Sequence, residues 1–160
     1  MQATIRTLAF NGIETIDVEV QVHLSNGLPA MAIVGLADKA VAESKERVRA
    51  ALSSIGLSMS PKRVAINLAP ADLNKEGSHY DLPIALGLMV AMGVVPQDSC
   101  DGFYVMGELS LDGSITHVTG VLPAAIGASQ IDHGLICPEV CGNEAAFAGD
   151  VSIIAAPSLT

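Results

Sequence analysis

The sequence predicts a single α/β (α+β) domain over residues 1–160, a mixed sheet with packed helices. Three observations predict it. Half of the 160 residues are hydrophobic and only 16% are charged, which suits one compact core and excludes a disordered tail. Stretches of two-residue alternation interleave with stretches of helical period. No internal repeat, low-complexity tract or interior linker separates them.

Residues 2–10 read as a strand, and Asn11-Gly12 as a hairpin turn. "ETIDVEVQVHL", 14–24, places Ile16, Val18, Val20, Val22 and Leu24 on one face, the pattern of a half-buried strand. "LPAMAIVG", 28–35, reads as a third strand. A helix follows over 38–55, with Val41, Val48, Leu52 and Ile55 on one face, Asp38 as N-cap and Gly56 just past its end. "KRVAINLAP", 62–70, is a strand with Val64, Ile66 and Leu68 inward. After a polar loop over 71–80 comes a helix over 82–92, apolar all round and therefore buried on most sides. Residues 103–115 read as a hairpin turning at Asp112-Gly113. A helix over 120–130 tolerates Pro123 in its first turn. "GLICP" and "VSIIAA" read as short buried strands, with a short helix, "GNEAAFAG", between them.

Composition narrows the function. Aromatics make up only 3%, so the core is aliphatic and base-stacking platforms are scarce. The longest apolar run, 82–96, is too short to span a bilayer, and Met1 runs straight into strand-like sequence. We expect a cytoplasmic protein with no membrane contact. Three cysteines make no disulfide framework and suggest reduced thiols. The net charge of −9 is uneven. Lys39, Lys45, Arg47, Arg49, Lys62 and Arg63 crowd into one window, while ten acids and no Lys or Arg lie from Glu76 onward. Such asymmetry suggests a basic face for DNA or a partner, or complementary contacts between neighbouring subunits. Within the helix, Glu43–Arg47 and Glu46–Arg49 are spaced to pair, which leaves Lys39 and Lys45 uncommitted.

Three constellations invite chemistry. Ser78, His79 and Asp81 are adjacent in "EGSHYDLPIALGLMVAMG". Neighbours in one short loop seldom converge as a triad does. Asp81 instead reads as the cap of the helix that follows. His133, Cys137 and Cys141 lack a fourth ligand and the tight Cys pairs that zinc favours, so buried structural thiols are expected and no metal. No phosphate-binding loop is present, so no nucleotide cofactor is expected in this segment.

The stretches "GLPAMAIVGLADKAVAESKERVRAAL", "NLAPADLNKEGSHYDLPIALG" and "GELSLDGSITHVTGVLPAA" resemble the N-terminal domain of the ComM/YifB family, magnesium-chelatase-like AAA+ proteins. The resemblance covers essentially the whole chain. It implies a Lon-protease-domain-like fold, followed in the family by an AAA+ ATPase module that uses ATP and Mg. It also implies a hexameric ring acting as a DNA helicase or in branch migration, in recombination during natural transformation. The implied partners are that module, neighbouring subunits and possibly DNA. In Lon-type proteases a serine opens the helix after the loop matched here by "NKEGSHYDL", and a lysine follows the hairpin matched by "GELSLDG". Asp81 stands at the serine position and Leu122 near the lysine position, so the resemblance implies a degenerate site. No lysine follows Lys75. The alternatives are a residual peptidase using Ser78 with Lys75, and a protein-binding adaptor.

Overall fold

The computed structural model describes residues 2–12, 14–57 and 62–160. Its first two strands, β1 (Gln2–Asn11) and β2 (Glu14–Asn26), form an antiparallel hairpin running from Gln2 opposite His23 to Asn11 opposite Glu14. Gly12, at φ 65°, takes the left-handed backbone that the expected Asn-Gly turn needs. β3 (Ala30–Val34) lies parallel to β4 (Lys62–Ala69), and β4 runs antiparallel to β2. β5 (Phe103–Val105), β8 (Gly134–Pro138) and β9 (Ile153–Ala156) extend the other side of β1 by parallel pairing. The order is β3-β4-β2-β1-β5-β8-β9, a seven-stranded mixed sheet. β6 (Glu108–Leu109) and β7 (Ile115–Thr116) form a separate two-stranded ribbon.

Two corrections follow. The expected hairpin over 103–115 is split: its first strand joins the main sheet between β1 and β8, and only the remainder turns back on itself. The cause is tertiary, since Tyr104 pairs with Arg6 and Leu135, both distant in sequence. The last strand is not buried. β9 ends the sheet, and Ile154 is exposed.

Four α-helices are found among the described residues: α1 (Lys39–Ser54), α2 (Asp81–Ala91), α3 (Val121–Gln130) and α4 (Gly142–Ala146). α1 starts as expected, with Asp38 Oδ1 accepting from the Val41 amide at 2.8 Å, and Gly56 turns left-handed after its end. Val41, Val48 and Leu52 bury its inner face.

The sheet separates two cores. The alternate residues Val18, Val20, Val22 and Leu24 of β2 pack with α1 and α2. Leu8, Tyr104 and Met106 pack with α3 and α4 on the opposite face. β1 is central and feeds both, which explains why Leu8 and Ala9 are both buried despite pointing opposite ways. α2 sits close on β1 and β2. A Cβ on Gly87 would lie 2.7 Å from Val22 Cγ2, so only glycine fits there.

Candidate functional site

The segment 75–81 is fixed at both ends. The Lys75 amide donates to the Leu36 carbonyl and the Lys75 carbonyl accepts from the Asp38 amide, each at 3.0 Å, which ties the loop to the start of α1. The Gly107 amide donates to the His79 carbonyl and the Leu82 amide to the Gly107 carbonyl, again at 3.0 Å. That second pair joins the start of α2 to the segment leading into β6.

Asp81 is not a helix cap. It is the first residue of α2, and Tyr80 holds the cap position without a side-chain bond. The Leu82 amide already has Gly107 as its acceptor, so the helix end makes no demand on the carboxylate. Asp81 is fully buried and turned toward α1. Its Oδ1 accepts from Ser44 Oγ at 2.5 Å and from an Arg47 terminal nitrogen at 3.1 Å. Its Oδ2 accepts from Arg47 Nε at 2.6 Å and from the Leu109 amide at 3.1 Å. Burial pushes the Asp81 carboxyl up, and Arg47, Ser44 and the Leu109 amide pull it back. Arg47 also donates to the Ala40 carbonyl at 3.0 Å, and its own pKa is raised by the bond to Asp81. The fork of the guanidinium and the two carboxylate oxygens thus clamp α1, α2 and β6 together.

This engagement withdraws Arg47 from the expected basic surface. The other members differ. Lys39, Arg49 and Arg63 are exposed, and Lys45 is half-buried. Arg49 lies 3.7 Å from Glu46 and Arg47 3.6 Å from Glu43, both pairs as the spacing predicts. Lys62 Nζ donates to Asn26 Oδ1 at 2.9 Å.

Beside the clamp lies an open cleft of about 960 Å³. Its walls are the β1–β2 turn, the start of α1, the loop 72–79, Glu108 and residues 117–119. Asp38, Asp72, Glu76 and Glu108 line it, with no lysine or arginine among the described lining residues. Ser78 Oγ donates to Glu108 Oε2 at 2.7 Å. His79 is 6% exposed and stacks on Tyr80, with ring centroids 4.1 Å apart and Phe10 edge-on at 5.4 Å. Its Nε2 lies 2.7 Å from the Leu8 carbonyl oxygen. A carbonyl only accepts, so Nε2 carries the proton and Nδ1 is an acceptor. Burial pushes this imidazole's pKa down, which keeps it neutral.

Ser78 and Lys75 have separate partners. The Lys75 ammonium is fully buried and donates to the Pro70 carbonyl, and burial lowers its pKa. Ser78 faces the cleft and bonds Glu108. Leu122 lies in the first turn of α3, its amide donating to Glu144 Oε2 at 3.2 Å. Neither Asp81 nor Leu122 lines the cleft.

His133, Cys137 and Cys141 also part company. Cys137 and Cys141 are buried in the core beneath α3 and α4, and burial pushes the Cys137 thiol up to about 11. His133 turns toward Arg6, whose guanidinium lies 3.2 Å from its Nε2.

Sequence reasoning missed the cleft because five separated segments build it. The available signal was the acids Asp72, Glu76 and Glu108 lying on either side of the last cation, Lys75.

Comparison with known proteins agrees with the resemblance. The family described as subunit ChlI of Mg-chelatase matches residues 20–140. Competence protein ComM of Haemophilus influenzae is 38% identical over 157 residues, which is 98% of this chain and 31% of that protein. YifB of Escherichia coli is 40% identical over 132 residues, 82% of this chain and 26% of that protein. YifB of Salmonella typhimurium is 38% identical over 134 residues, 84% of this chain and 26% of its own length. The chain therefore spans about a third or less of the length of these relatives. With most of its length matched by the family and by these proteins, the chain belongs to the magnesium-chelatase-like ComM/YifB family.

Proposed function

We propose that this domain is a non-catalytic module of a ring-forming AAA+ ATPase that acts on DNA. In this reading the whole protein is a hexameric helicase or branch-migration motor serving recombination during natural transformation in the cytoplasm. In the same reading, ATP and Mg are bound by a part of the whole protein outside this domain. The domain helps assemble the ring or guides DNA past it.

The observation that carries the non-catalytic reading is the state of Asp81. Both its oxygens are occupied by Ser44, Arg47 and the Leu109 amide in a buried setting. A group so committed is a structural clamp rather than a nucleophile, because attack needs a free, activated atom. Lys75 is likewise held on Pro70, away from the role of activating base. The name of one relative, competence protein ComM, adds the competence context, and exposed Lys39 and Arg49 with half-buried Lys45 add cations along α1.

The test is charge reversal at Lys39, Lys45 and Arg49 to Glu in the full-length protein. We expect weaker DNA binding, with a shallower dependence on salt, since phosphate contacts release counterions. Unchanged DNA affinity together with unchanged ring assembly and ATPase rate would remove the basic face from the reading.

A further inference from the structure

We propose that the two edges of the seven-stranded sheet are complementary docking surfaces, so that the β9 edge of one copy of this chain pairs with the β3 edge of the next. The inference rests on the ring-assembly part of the proposed function and names the surfaces that join neighbouring subunits. Among the described strands, β3 pairs only with β4 and β9 only with β8. Each therefore turns backbone N–H and C=O groups outward. Proteins that keep such edges free shield them with charge, proline or a bulge. Neither strand interior here has a charge or a free-standing proline, and the stretches 27–37 and 151–160 around them contain no charged residue at all. Apolar side chains stand exposed at both edges instead: Leu28, Val34 and Leu36 beside β3, and Val140, Phe147 and Ile154 beside β9. Val140 sits in the turn 139–141 and Phe147 directly follows α4, and both of those elements pack on β9.

Charge and strand direction decide which edges meet. The sheet order carries the asymmetry of the sequence into space. β3, β4, β2 and β1 come from the stretch that holds every lysine and arginine, whereas β5, β8 and β9 come from the stretch with ten acids and neither cation. A twofold axis would set β3 on β3 or β9 on β9, with like charges opposed. Head-to-tail pairing opposes unlike charges. β2 alone runs against its neighbours, so β3 and β9 point the same way. Pairing them continues the parallel order of β5, β8 and β9 into the next copy. The charges then correspond end for end. Where the strands begin, Lys62 and Arg63 open β4 beside β3, and Asp150 precedes β9. Where they finish, Lys39 starts α1 after β3, and Glu139 follows β8. Leu36 and Val140 share that second end. A head-to-tail interface of this kind generates a ring when its rotation closes, as a ring-forming motor requires.

The test is cross-linking of the full-length protein with ATP and magnesium present, alongside its mass by light scattering. Ala32→Cys marks the β3 edge and Ala155→Cys the β9 edge, and both positions are exposed. Cys100, Cys137 and Cys141 are buried, and the unsubstituted protein measures the background from any other thiol. A short bis-maleimide should give a ladder of covalent oligomers with the double variant and no dimers with either single variant, because only unlike edges meet. Arg63→Glu should cut the yield by about tenfold, and adding Asp150→Arg should restore it, since unlike charges then face each other again. An assembly of unchanged mass without this ladder, dimers of either single variant, or a yield that Asp150→Arg fails to restore would overturn the inference and leave the ring reading standing. A full-length protein that stays monomeric would sink both.

Discussion

Glu76 and Asp81 stand five residues apart, yet the protein treats their carboxylates in opposite ways. Asp81 is dry, and both its oxygens are matched to donors from α1 and β6. Glu76 is exposed in an open cleft whose described lining holds three more carboxylates and no lysine or arginine. The first charge is spent on holding the fold, and the second is kept available. The difference teaches that an acid next to a helix start is interpreted by what surrounds it in space. A buried charge persists only where its partners are complete, whereas an exposed one persists without them.

The largest expected effect breaks the clamp. Asp81→Ala leaves Arg47 and the Leu109 amide without their shared acceptor. We expect a loss of about 3 kcal/mol in urea denaturation, the usual scale for removing one partner of a buried ion pair. Adding Arg47→Met should recover part of that loss, because the orphaned cation is then gone. A loss under about 1 kcal/mol would mean that the clamp is not what joins α1 to α2.

A smaller effect comes from His79, at the border between the two regions. Its folded pKa lies below the ordinary 6.5, and burial is the main cause. The unfolded chain therefore binds a proton that the folded one refuses. The stability contribution is complete above about pH 6.5 and falls away as pH drops toward the folded pKa. The slope from one such proton is at most about 1.4 kcal/mol per pH unit. His79→Gln should flatten the urea-midpoint profile between pH 7 and pH 5. An unchanged profile would mean that the buried imidazole accepts a proton in place.

The smallest effect sharpens the contrast from the other side. Asp72→Asn/Glu76→Gln should change stability by no more than about 0.5 kcal/mol, because the relief of repulsion is offset by the loss of the attraction between Asp72 and the Lys75 ammonium. A large loss in the urea midpoint would show that the cleft acids hold the fold after all.

Much of the fold is legible in the sequence. The alternation over 14–24 gives β2 its face, and the helical period with Asp38 and Gly56 gives α1 its face and both ends. Those patterns are local, so a local reading captures them. The errors are all non-local. Asp81 resembles a cap because it precedes an apolar helix, but its partners lie 28 to 37 positions away. Residues 103–115 resemble one hairpin because nothing within them announces that β1 and β8 will claim the first strand. Arg47 is spaced for an i, i+4 pair with Glu43, and it makes that contact, but the shorter bond goes to Asp81. The family resemblance marks the position of Asp81 but carries no information about the donors its carboxylate holds.

Gly87 sets how closely α2 rides on the β1–β2 hairpin. With Val22 pressed against its bare α-carbon, α2 cannot slide along the hairpin beneath it without a collision. The His79-Tyr80 step just ahead of α2 is therefore tied to the same hairpin whose tip, Asn11-Gly12, lines the cleft with it.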